Sequence, residues 1–349
     1  MRVLLLSPAE DGCAYVRCEQ PLRASGVPGE HKLYAKLMVQ NWRRRPSEGW
    51  RQRVLPVDAD VVVFQRPAHM DQPGFIEQFQ RQGIAVVVDI DDDLRAIHSQ
   101  NGAYPLFSGA YPGFHARYAS RCCALADLVT VSTPALAERY GAHGRVIVLP
   151  NAVPEKILDY PRTSDGRTVG WAGAVASHPG DLEVTYGGVG EALDGDWRFH
   201  VIGEAAGVRE RLHLPCEPTE TPWIARVDDY HRALGCLDIG VAPLADNAFN
   251  QGKSALKLLE GLARGVAMVT SPRAEYTAVG GALFAKDRSR SWRAALRRLM
   301  DDDSLRVEMA EQGRQLVRDH HLFERRGHLW AEAWEQALAS RLSGTRRAA

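Results

Sequence analysis

The stretch that decides the fold is "DIGVAPLADNAFNQGKSALKLLEGLARGVAMVTS", residues 238–271. Its apolar runs at 239–242 and 267–270 predict two buried strands, and the apolar spacing over 253–264 predicts a helix between them. A strand, a helix and a second strand in succession indicate a βαβ unit with parallel strands. The start of such a helix lies at the carboxyl edge of the sheet, where open α/β sheets bind their ligands.

The same alternation of strands and helices runs through the rest of the chain. Further strands are predicted at 3–6, 61–64, 85–90, 128–131, 146–149, 168–171 and 198–202. The proline-rich run "PNAVPEKILDYPRTSDGRT", residues 150–168, separates two series of strands. We therefore predict an α/β protein with two Rossmann-like domains, 1–152 and 167–320, joined by a linker at 153–166 and facing each other across a cleft. An amphipathic helix over 321–344 is expected to pack back toward the first domain.

Composition narrows the class of protein. The 349 residues include 43 Lys and Arg against 43 Asp and Glu, so no overall field attracts nucleic acid or anionic membranes. The six cysteines form no CxxC pair, which is typical of reduced thiols and a cytoplasmic location. The N-terminal apolar run is too short for a signal peptide, and no run of 18 apolar residues predicts a membrane span.

One segment departs from this neutral balance. The run "NWRRRPSEGWRQR", residues 41–53, combines arginines with two tryptophans. Such a run either grips an anionic surface or forms an ordinary solvated face, and the sequence leaves both readings open. The arginines concerned are Arg43, Arg44, Arg45, Arg51 and Arg53.

The triplet Gly252-Lys253-Ser254 looks like the end of a P-loop, but the rest of that motif is absent. A P-loop requires a glycine five residues before Gly252, and the chain has Asn247 there. The glycine-rich cradle for a triphosphate is therefore missing.

A different phosphate site is consistent with the same residues. On the predicted helix, Lys253, Lys257, Glu260 and Arg264 fall on one stripe. A helix start with lysines favours an anion, and Glu260 lies one nucleotide length further along, where a carboxylate would accept hydrogen bonds from ribose hydroxyls. The alternative is a solvated stripe with an ordinary Lys–Glu pair.

At this point the sequence resembles a known family. Residues 238–271, together with "VIVLPNAV" at 146–153 and "VGWAGAVASHPGDLE" at 169–183, are similar to GT-B glycosyltransferases, in particular the family 4 group. The resemblance implies metal-independent transfer of a sugar, with retention, from a UDP- or GDP-linked donor that serves as substrate, with no further cofactor. It also implies that Glu260, matching the second Glu of the family's E-x7-E motif, binds the ribose.

Two family features are absent. Gly252 stands where the first Glu of the motif is expected, and the usual Arg/Lys pair after the first strand of the second domain is replaced by a loop with His178 and Asp181. The chain fits a variant pattern, "N..KS..K..E", better than the usual motif. In this variant the two lysines would neutralise the diphosphate. His178 would either form a hydrogen bond to a phosphate oxygen or lie at the surface. The predicted donor contacts are Gly12, Arg17, Gly173, His178, Asn250, Gly252, Lys253, Ser254, Lys257 and Glu260.

The first domain offers two polar groups. The first strand is followed by Gly12, Tyr15 and Arg17. The sequence leaves three readings open: these residues line the acceptor side, touch the departing phosphate or form an ordinary βα turn. Four aspartates, Asp89, Asp91, Asp92 and Asp93, follow a buried strand. We assign Asp91 to binding or deprotonation of the acceptor, with Arg66 as an ion-pair partner, and Asp92 and Asp93 to capping a following helix.

The predicted function is that of a glycosyltransferase with an unknown acceptor: a glycan, a lipid, a protein or a nucleobase. The catalytic residues are expected to be Asp91, Lys253 and Glu260. The alternatives are a sugar-nucleotide epimerase or phosphorylase, which share this architecture, and a non-catalytic sugar-nucleotide-binding protein.

Overall fold

The computed structural model describes residues 1–37, 39–42 and 51–348. Two compact units divide the chain: residues 1–97, 103–150 and 326–349 form unit 1, and residues 98–102 and 151–325 form unit 2. Each unit contains one six-stranded sheet in which every pairing is parallel.

The sheet of unit 1 has the strand order β2-β1-β5-β6-β7-β8, and β3 and β4 form a separate antiparallel pair. Its strands are β1 (Val3–Ser7), β2 (Gly29–Leu33), β3 (Val39–Trp42), β4 (Arg51–Val54), β5 (Val61–Gln65), β6 (Ala85–Ile90), β7 (Leu128–Val131) and β8 (Val146–Val148). Its helices are α1 (Gly12–Ala14), α2 (Gln20–Ser25), α3 (Gln72–Arg81), α4 (Tyr104–Ser108), α5 (Ala116–Leu125) and α6 (Pro134–Tyr140). A π-helical turn, Tyr15–Glu19, joins α1 to α2, and a 3-10 turn spans Tyr34–Lys36.

The sheet of unit 2 has the order β11-β10-β9-β12-β13-β14. Its strands are β9 (Thr168–Ala174), β10 (Arg198–Glu204), β11 (Thr219–Pro222), β12 (Ile239–Ala242), β13 (Ala267–Thr270) and β14 (Ala282–Phe284). Its helices are α7 (Gly188–Ala192), α8 (Val208–Leu212), α9 (Val227–Ala233), α10 (Leu256–Ala263), α11 (Ala274–Val279), α12 (Ser289–Asp301) and α13 (Asp303–His320). The 3-10 turns are Glu155–Asp159, Val175–Ser177, Glu183–Thr185, Leu234–Cys236 and Asn250–Gly252. The last helix, α14 (Phe323–Ala348), begins in unit 2 and continues in unit 1.

Burial on both faces explains the continuous apolar runs of the strands. In β9, Val169 and Trp171 pack into one core of unit 2, whereas Ala172 belongs to the core on the other face. Each strand therefore supplies apolar side chains in both directions, as expected for parallel sheets covered by helices. The predicted mixed α/β fold with parallel sheets is confirmed.

Some predicted boundaries were wrong. The helix expected over 253–264 begins only at Leu256, because Asn250–Gly252 forms a 3-10 turn and Lys253 is extended, with φ −69° and ψ 135°. The last helix passes its expected end near Gly344 and reaches Ala348. Asp92 and Asp93 cap no helix, since the next one, α4, begins at Tyr104.

Candidate functional site

A polar site lies at the carboxyl ends of β9 and β12, which are neighbours in the sheet of unit 2. We call it the α10 site and define it by His178, Asp181, Lys253, Lys257 and Glu260. The first two residues follow β9, and the other three lie on or just before α10. Because parallel neighbouring strands end at the same edge, the two loops meet there.

Asp181 joins three segments of this site. Its Oδ1 accepts hydrogen bonds from the Ala245 backbone N–H at 2.9 Å and from Asn250 Nδ2 at 2.7 Å, and its Oδ2 lies 2.8 Å from His178 Nδ1. Burial alone raises the pKa of this carboxyl, but the bonds from His178 and Ala245 outweigh burial and lower the pKa below its ordinary value. Asp181 is therefore an ionised carboxylate that orients its neighbours.

His178 is neutral at pH 7, because burial and then the charge of Lys257 lower its pKa to about 4. Ionised Asp181 holds the ring proton on Nδ1, so Nε2 keeps its lone pair. This nitrogen accepts a hydrogen bond from a hydroxyl and cannot donate one to a phosphate oxygen. The predicted phosphate contact of His178 thus requires a protonated ring, and the neutral ring fits a sugar hydroxyl instead.

Two lysines supply the positive charge of the site. Lys257 Nζ lies 5.2 Å from the ring centroid of Trp171, and Lys253 Nζ lies 4.5 Å from that of Phe249. Burial lowers the pKa of Lys257 to about 8; Asp181 opposes this change, and the nearby Lys253 adds to it. The charges stand beside the start of α10, whose N-cap residue Ala255 provides no side-chain hydrogen bond. An anion at this position would meet two ammonium groups and the positive end of the helix.

Glu260 is buried and held by two residues of α9. Its Oε1 lies 3.1 Å from His231 Nε2, and its Oε2 accepts a hydrogen bond from the Tyr230 hydroxyl at 3.2 Å. Each carboxylate oxygen has two lone pairs, so one per oxygen is left for a ligand hydroxyl. The sequence alone does not reveal Tyr230 or His231 as partners, because both lie about one βα unit away from Glu260 along the chain, 30 and 29 residues earlier.

The remaining predicted donor contacts occupy different environments. Gly173 has φ +155°, and a Cβ there would lie 2.7 Å from the Trp171 ring, so only glycine fits beside that ring. Ser254 Oγ accepts a hydrogen bond from Asn151 Nδ2 at 2.8 Å. Gly252 is buried at the end of its 3-10 turn. Asn250 is also buried, and its Nδ2 donates to Asp181 and to the Ala245 carbonyl, so its amide nitrogen fastens the loop.

Arg264 does not extend the ligand-facing stripe that the helical spacing predicted. It is 2% exposed, and its guanidinium donates to backbone carbonyls. The acceptors are the carbonyls of His231, Ile157, Tyr160 and Pro161. Arg264 therefore fastens the C-terminal end of α10 to the linker and to α9.

Arg17 was expected at a ligand surface and instead lies in the interior of unit 1. Its Nε and Nη2 donate to the two carboxylate oxygens of Asp89 at 3.0 and 2.7 Å, and Nη1 donates to the Leu149 carbonyl. Thr130 Oγ1 also donates to Asp89, at 2.6 Å. With Arg17 1% exposed, this is a buried structural ion pair, which corrects the prediction of a donor or acceptor contact.

Asp91 lies at the carboxyl edge of the unit 1 sheet with the partner that the sequence predicted. Arg66 Nε is 3.4 Å from Asp91 Oδ1, and Arg66 Nη1 donates to Cys13 Sγ at 3.2 Å. Burial raises the pKa of Asp91, although Arg66 opposes the change. Gly12 is exposed in the first turn after β1, and Tyr15 begins the π-helical turn. This edge offers a carboxylate with raised proton affinity.

Asp93 has structural partners. It accepts hydrogen bonds from Arg139 Nη1 at 2.8 Å and from the Tyr140 hydroxyl at 3.0 Å.

The arginine-rich run of residues 41–53 is described only in part. Its residues Arg51 and Arg53 belong to β4, whereas Arg43, Arg44 and Arg45 lie outside the described residues.

Among residues 1–37, 39–42 and 51–348, every helix is too short or too polar to span a membrane. Within the same ranges, no three His, Cys, Asp or Glu side chains are grouped in a way that would hold a metal ion.

The chain is similar to a protein family in part of its sequence and to several solved structures in its fold. Residues 189–335, which include α9 and α10, match the family model described as glycosyl transferase-like. No curated protein matches the chain. HepE from Anabaena, solved with UDP and glucose, is similar with a TM-score of 0.64 and 12% identity, over 96% of this chain and 99% of that one.

Two further solved structures are similar. An α-glucosyltransferase solved with UDP and a 13-mer DNA has a TM-score of 0.62 at 12% identity, over 96% of this chain and 99% of that one. TarM from S. aureus, solved with UDP, has a TM-score of 0.54 at 15% identity. The match covers 80% of this chain and 55% of TarM, so this chain spans about half the length of TarM. The full-length likenesses show the GT-B fold, with two Rossmann-like domains, and the family match supplies the class of activity. The chain therefore has the GT-B fold, and residues 189–335 match a glycosyltransferase-like family.

Proposed function

We propose that the chain transfers a sugar from a UDP-linked donor, and that the α10 site holds the donor. The observation that carries this proposal is the combination of two lysines at the start of α10 with a buried carboxylate further along the same helix. Glu260 lies four residues after Leu256, or roughly 6 Å along the helix axis. That spacing suits a diphosphate at the helix start and a ribose at Glu260. The UDP in HepE and in the DNA-bound α-glucosyltransferase supports this choice of nucleotide.

Each group of the site has a chemical task in this proposal. Lys253, Lys257 and the helix start stabilise the negative charge that develops on the departing nucleoside diphosphate. Glu260 accepts hydrogen bonds from the ribose hydroxyls. Neutral His178 accepts one from a sugar hydroxyl, and Asp181 fixes the ring orientation. Following the resemblance, we assign transfer with retention and without a metal ion.

We assign acceptor binding to unit 1, with Asp91 as the group that takes the proton of the acceptor hydroxyl. The pKa of this carboxyl is raised by burial, which increases its strength as a base. The acceptor class stays open: TarM was solved with glycan ligands and the α-glucosyltransferase with DNA, and both share the fold.

One observation favours a second function. Gly252 occupies the position of the family's first Glu, so the chain lacks a carboxylate that family members have there. A protein that binds a nucleotide sugar without transferring it would tolerate this loss. Product analysis with and without acceptor candidates distinguishes transfer from binding, and also from epimerisation, which needs no acceptor.

A thermal-shift panel tests the donor assignment. UDP-, GDP-, ADP-, dTDP- and CMP-sugars are each added to the full chain, and UDP-sugars are expected to raise the unfolding temperature most. At a concentration 100 times its Kd, a donor stabilises the fold by about 2.7 kcal/mol. A panel in which no nucleotide sugar changes the unfolding temperature contradicts the proposal.

Donor binding is expected to weaken as the pH rises above 8. The free Lys257 ammonium has a pKa of about 8, and a bound diphosphate raises this value because it favours the charged form. Above pH 8 the donor must therefore bind together with a proton, and Kd rises by up to about tenfold per pH unit until the pKa of the complex is reached. Isothermal titration with a UDP-sugar between pH 6.5 and 9.5 measures this change. Lys257→Arg is the control, since arginine stays charged throughout; identical pH profiles for the two proteins would rule out Lys257.

A further inference from the structure

Unit 2 has a concave surface at the edge of its sheet opposite to the α10 site. A cleft of about 660 Å³ is lined by Arg162, Arg264, Arg306 and Arg314, which define what we call the arginine cleft. Gly166, Asp238 and Gly265 also line it, and they lie just before β9, β12 and β13. The cleft is therefore at the amino ends of the strands, whereas the α10 site is at their carboxyl ends.

The arginines bond mainly to backbone carbonyls. Arg162 donates to the carbonyls of Leu237 and Arg264, and Arg314 donates to that of Leu158. All of the side-chain bonds of Arg264 described above also end on carbonyls. A carbonyl satisfies an N–H group but carries no net charge, so these bonds leave the positive charge of the guanidinium groups uncompensated.

Carboxylates offset only part of this charge. Asp238 lies 3.5 Å from Arg162 Nη2, and Asp303, which is 83% exposed, contacts Arg306. Asp159 and Glu311 also line the cleft; both are exposed, and in the described part of the chain neither lies within ion-pair distance of an arginine. Across the described ranges, no carboxylate lies within ion-pair distance of Arg264 or Arg314. Burial lowers the pKa of Arg264 to about 10, and repulsion from Arg162 and Arg314 contributes to the decrease. The cleft thus concentrates positive charges that repel one another.

Donors for an anion remain on the cleft wall. Of the three nitrogens of Arg314, only Nη2 has an acceptor among the described residues, and Nε of Arg306 has none there. Guanidinium groups match the oxygens of phosphate in shape and charge.

We propose that the arginine cleft is a second anion site, which binds a small phosphate compound such as a phosphate ester or pyrophosphate. A bound dianion would relieve the repulsion among the arginines and would use the free donors of Arg306 and Arg314. The cleft is separate from the α10 site, so this proposal does not depend on the donor assignment.

Titration calorimetry with inorganic pyrophosphate tests the proposal. Because pyrophosphate also suits the α10 site, the measurement uses the full chain with Lys253→Ala and Lys257→Ala, which leaves the arginine cleft intact. This background is expected to bind pyrophosphate, and Arg314→Ala in the same background is expected to weaken binding at least tenfold. Arg318→Ala is the matched control, because Arg318 lies on the same helix, bonds to Gln315 and does not line the cleft.

Thermal unfolding without pyrophosphate shows whether each variant is folded. Arg314→Lys is included because it keeps the charge and loses the planar fork, and it is expected to bind with an affinity between those of the background and of Arg314→Ala. Absence of pyrophosphate binding to the background overturns the proposal. The proposal is also overturned if the Arg314→Ala and Arg318→Ala proteins bind pyrophosphate with equal affinity. If Arg314→Ala does not fold, Arg314→Lys is compared with the background instead, and equal affinities of these two proteins for pyrophosphate overturn the proposal.

Discussion

Replacement of Glu260 by alanine is expected to weaken binding of the nucleotide-sugar donor by about 10- to 150-fold. The carboxylate is proposed to accept hydrogen bonds from the ribose, and the loss of one bond to a charged group costs about 1.5–3 kcal/mol. Glu260 lies buried between Tyr230 and His231, so water substitutes poorly for the lost contact. Isothermal titration with the donor identified by the thermal-shift panel measures the change.

Two controls separate this effect from misfolding. Glu260→Ala also leaves the Tyr230 hydroxyl and His231 Nε2 without their acceptor, at a cost of about 1–3 kcal/mol each in folding stability, so thermal unfolding must show that the variant is folded. Glu210→Ala removes an exposed carboxylate on α8 of the same unit and is expected to leave both affinity and stability unchanged. A folded Glu260→Ala variant with the parental Kd would remove Glu260 from the donor site.

Arg17→Ala is expected to lower the free energy of unfolding of unit 1 by about 3–5 kcal/mol. The substitution leaves the Asp89 carboxylate buried without its bidentate partner, and an uncompensated buried charge has a cost of this size. Whole domains are stable by only about 5–15 kcal/mol, so the loss removes a large part of the total. Urea unfolding followed by tryptophan fluorescence measures it.

The matched control for Arg17 is Arg23→Ala, an exposed arginine on α2. We expect it to change the stability by no more than about 0.5 kcal/mol, as is usual for surface substitutions. Arg17→Lys keeps a charge but loses the planar fork, so its stability should fall between the two. If Arg17→Ala and Arg23→Ala unfold at the same urea concentration, the buried pair does not stabilise the unit as inferred.

The central strands of both six-stranded sheets were predictable from the sequence, and three of their four edge strands were not. The four-residue strands β12 and β13 lie where their apolar runs predicted, because strands covered on both faces need apolar side chains in both directions. The strands β2, β11 and β14 were missed. They lie at sheet edges, where β2 reads Gly-Glu-His-Lys-Leu and β11 ends in Pro222. An edge strand pairs on one side only and tolerates polar residues and proline, so its sequence carries little signal.

The α10 site was predictable in its lysines and its carboxylate, but its detailed chemistry was not. The strand–helix pattern indicated that Lys253, Lys257 and Glu260 follow a parallel strand, and they do. The neutral state of His178 depends on burial and on Lys257, which lower its pKa against the opposing effect of Asp181, and these groups surround the ring only in the folded unit. The partners of Glu260, 29 and 30 residues earlier in the chain, become neighbours only when α9 packs beside α10.

The sequence by itself determined the class of fold and the edge of the sheet where the site lies, because strand and helix periodicity are local properties of the chain. Only the tertiary structure decided which charged residues are available to a ligand. Arg17 and Arg264 resemble ligand-binding arginines in the sequence, yet both are buried, one against Asp89, 72 residues away, and the other against carbonyls as far as 107 residues away. Burial of a charge depends on partners that the fold brings together, and local spacing contains no information about them.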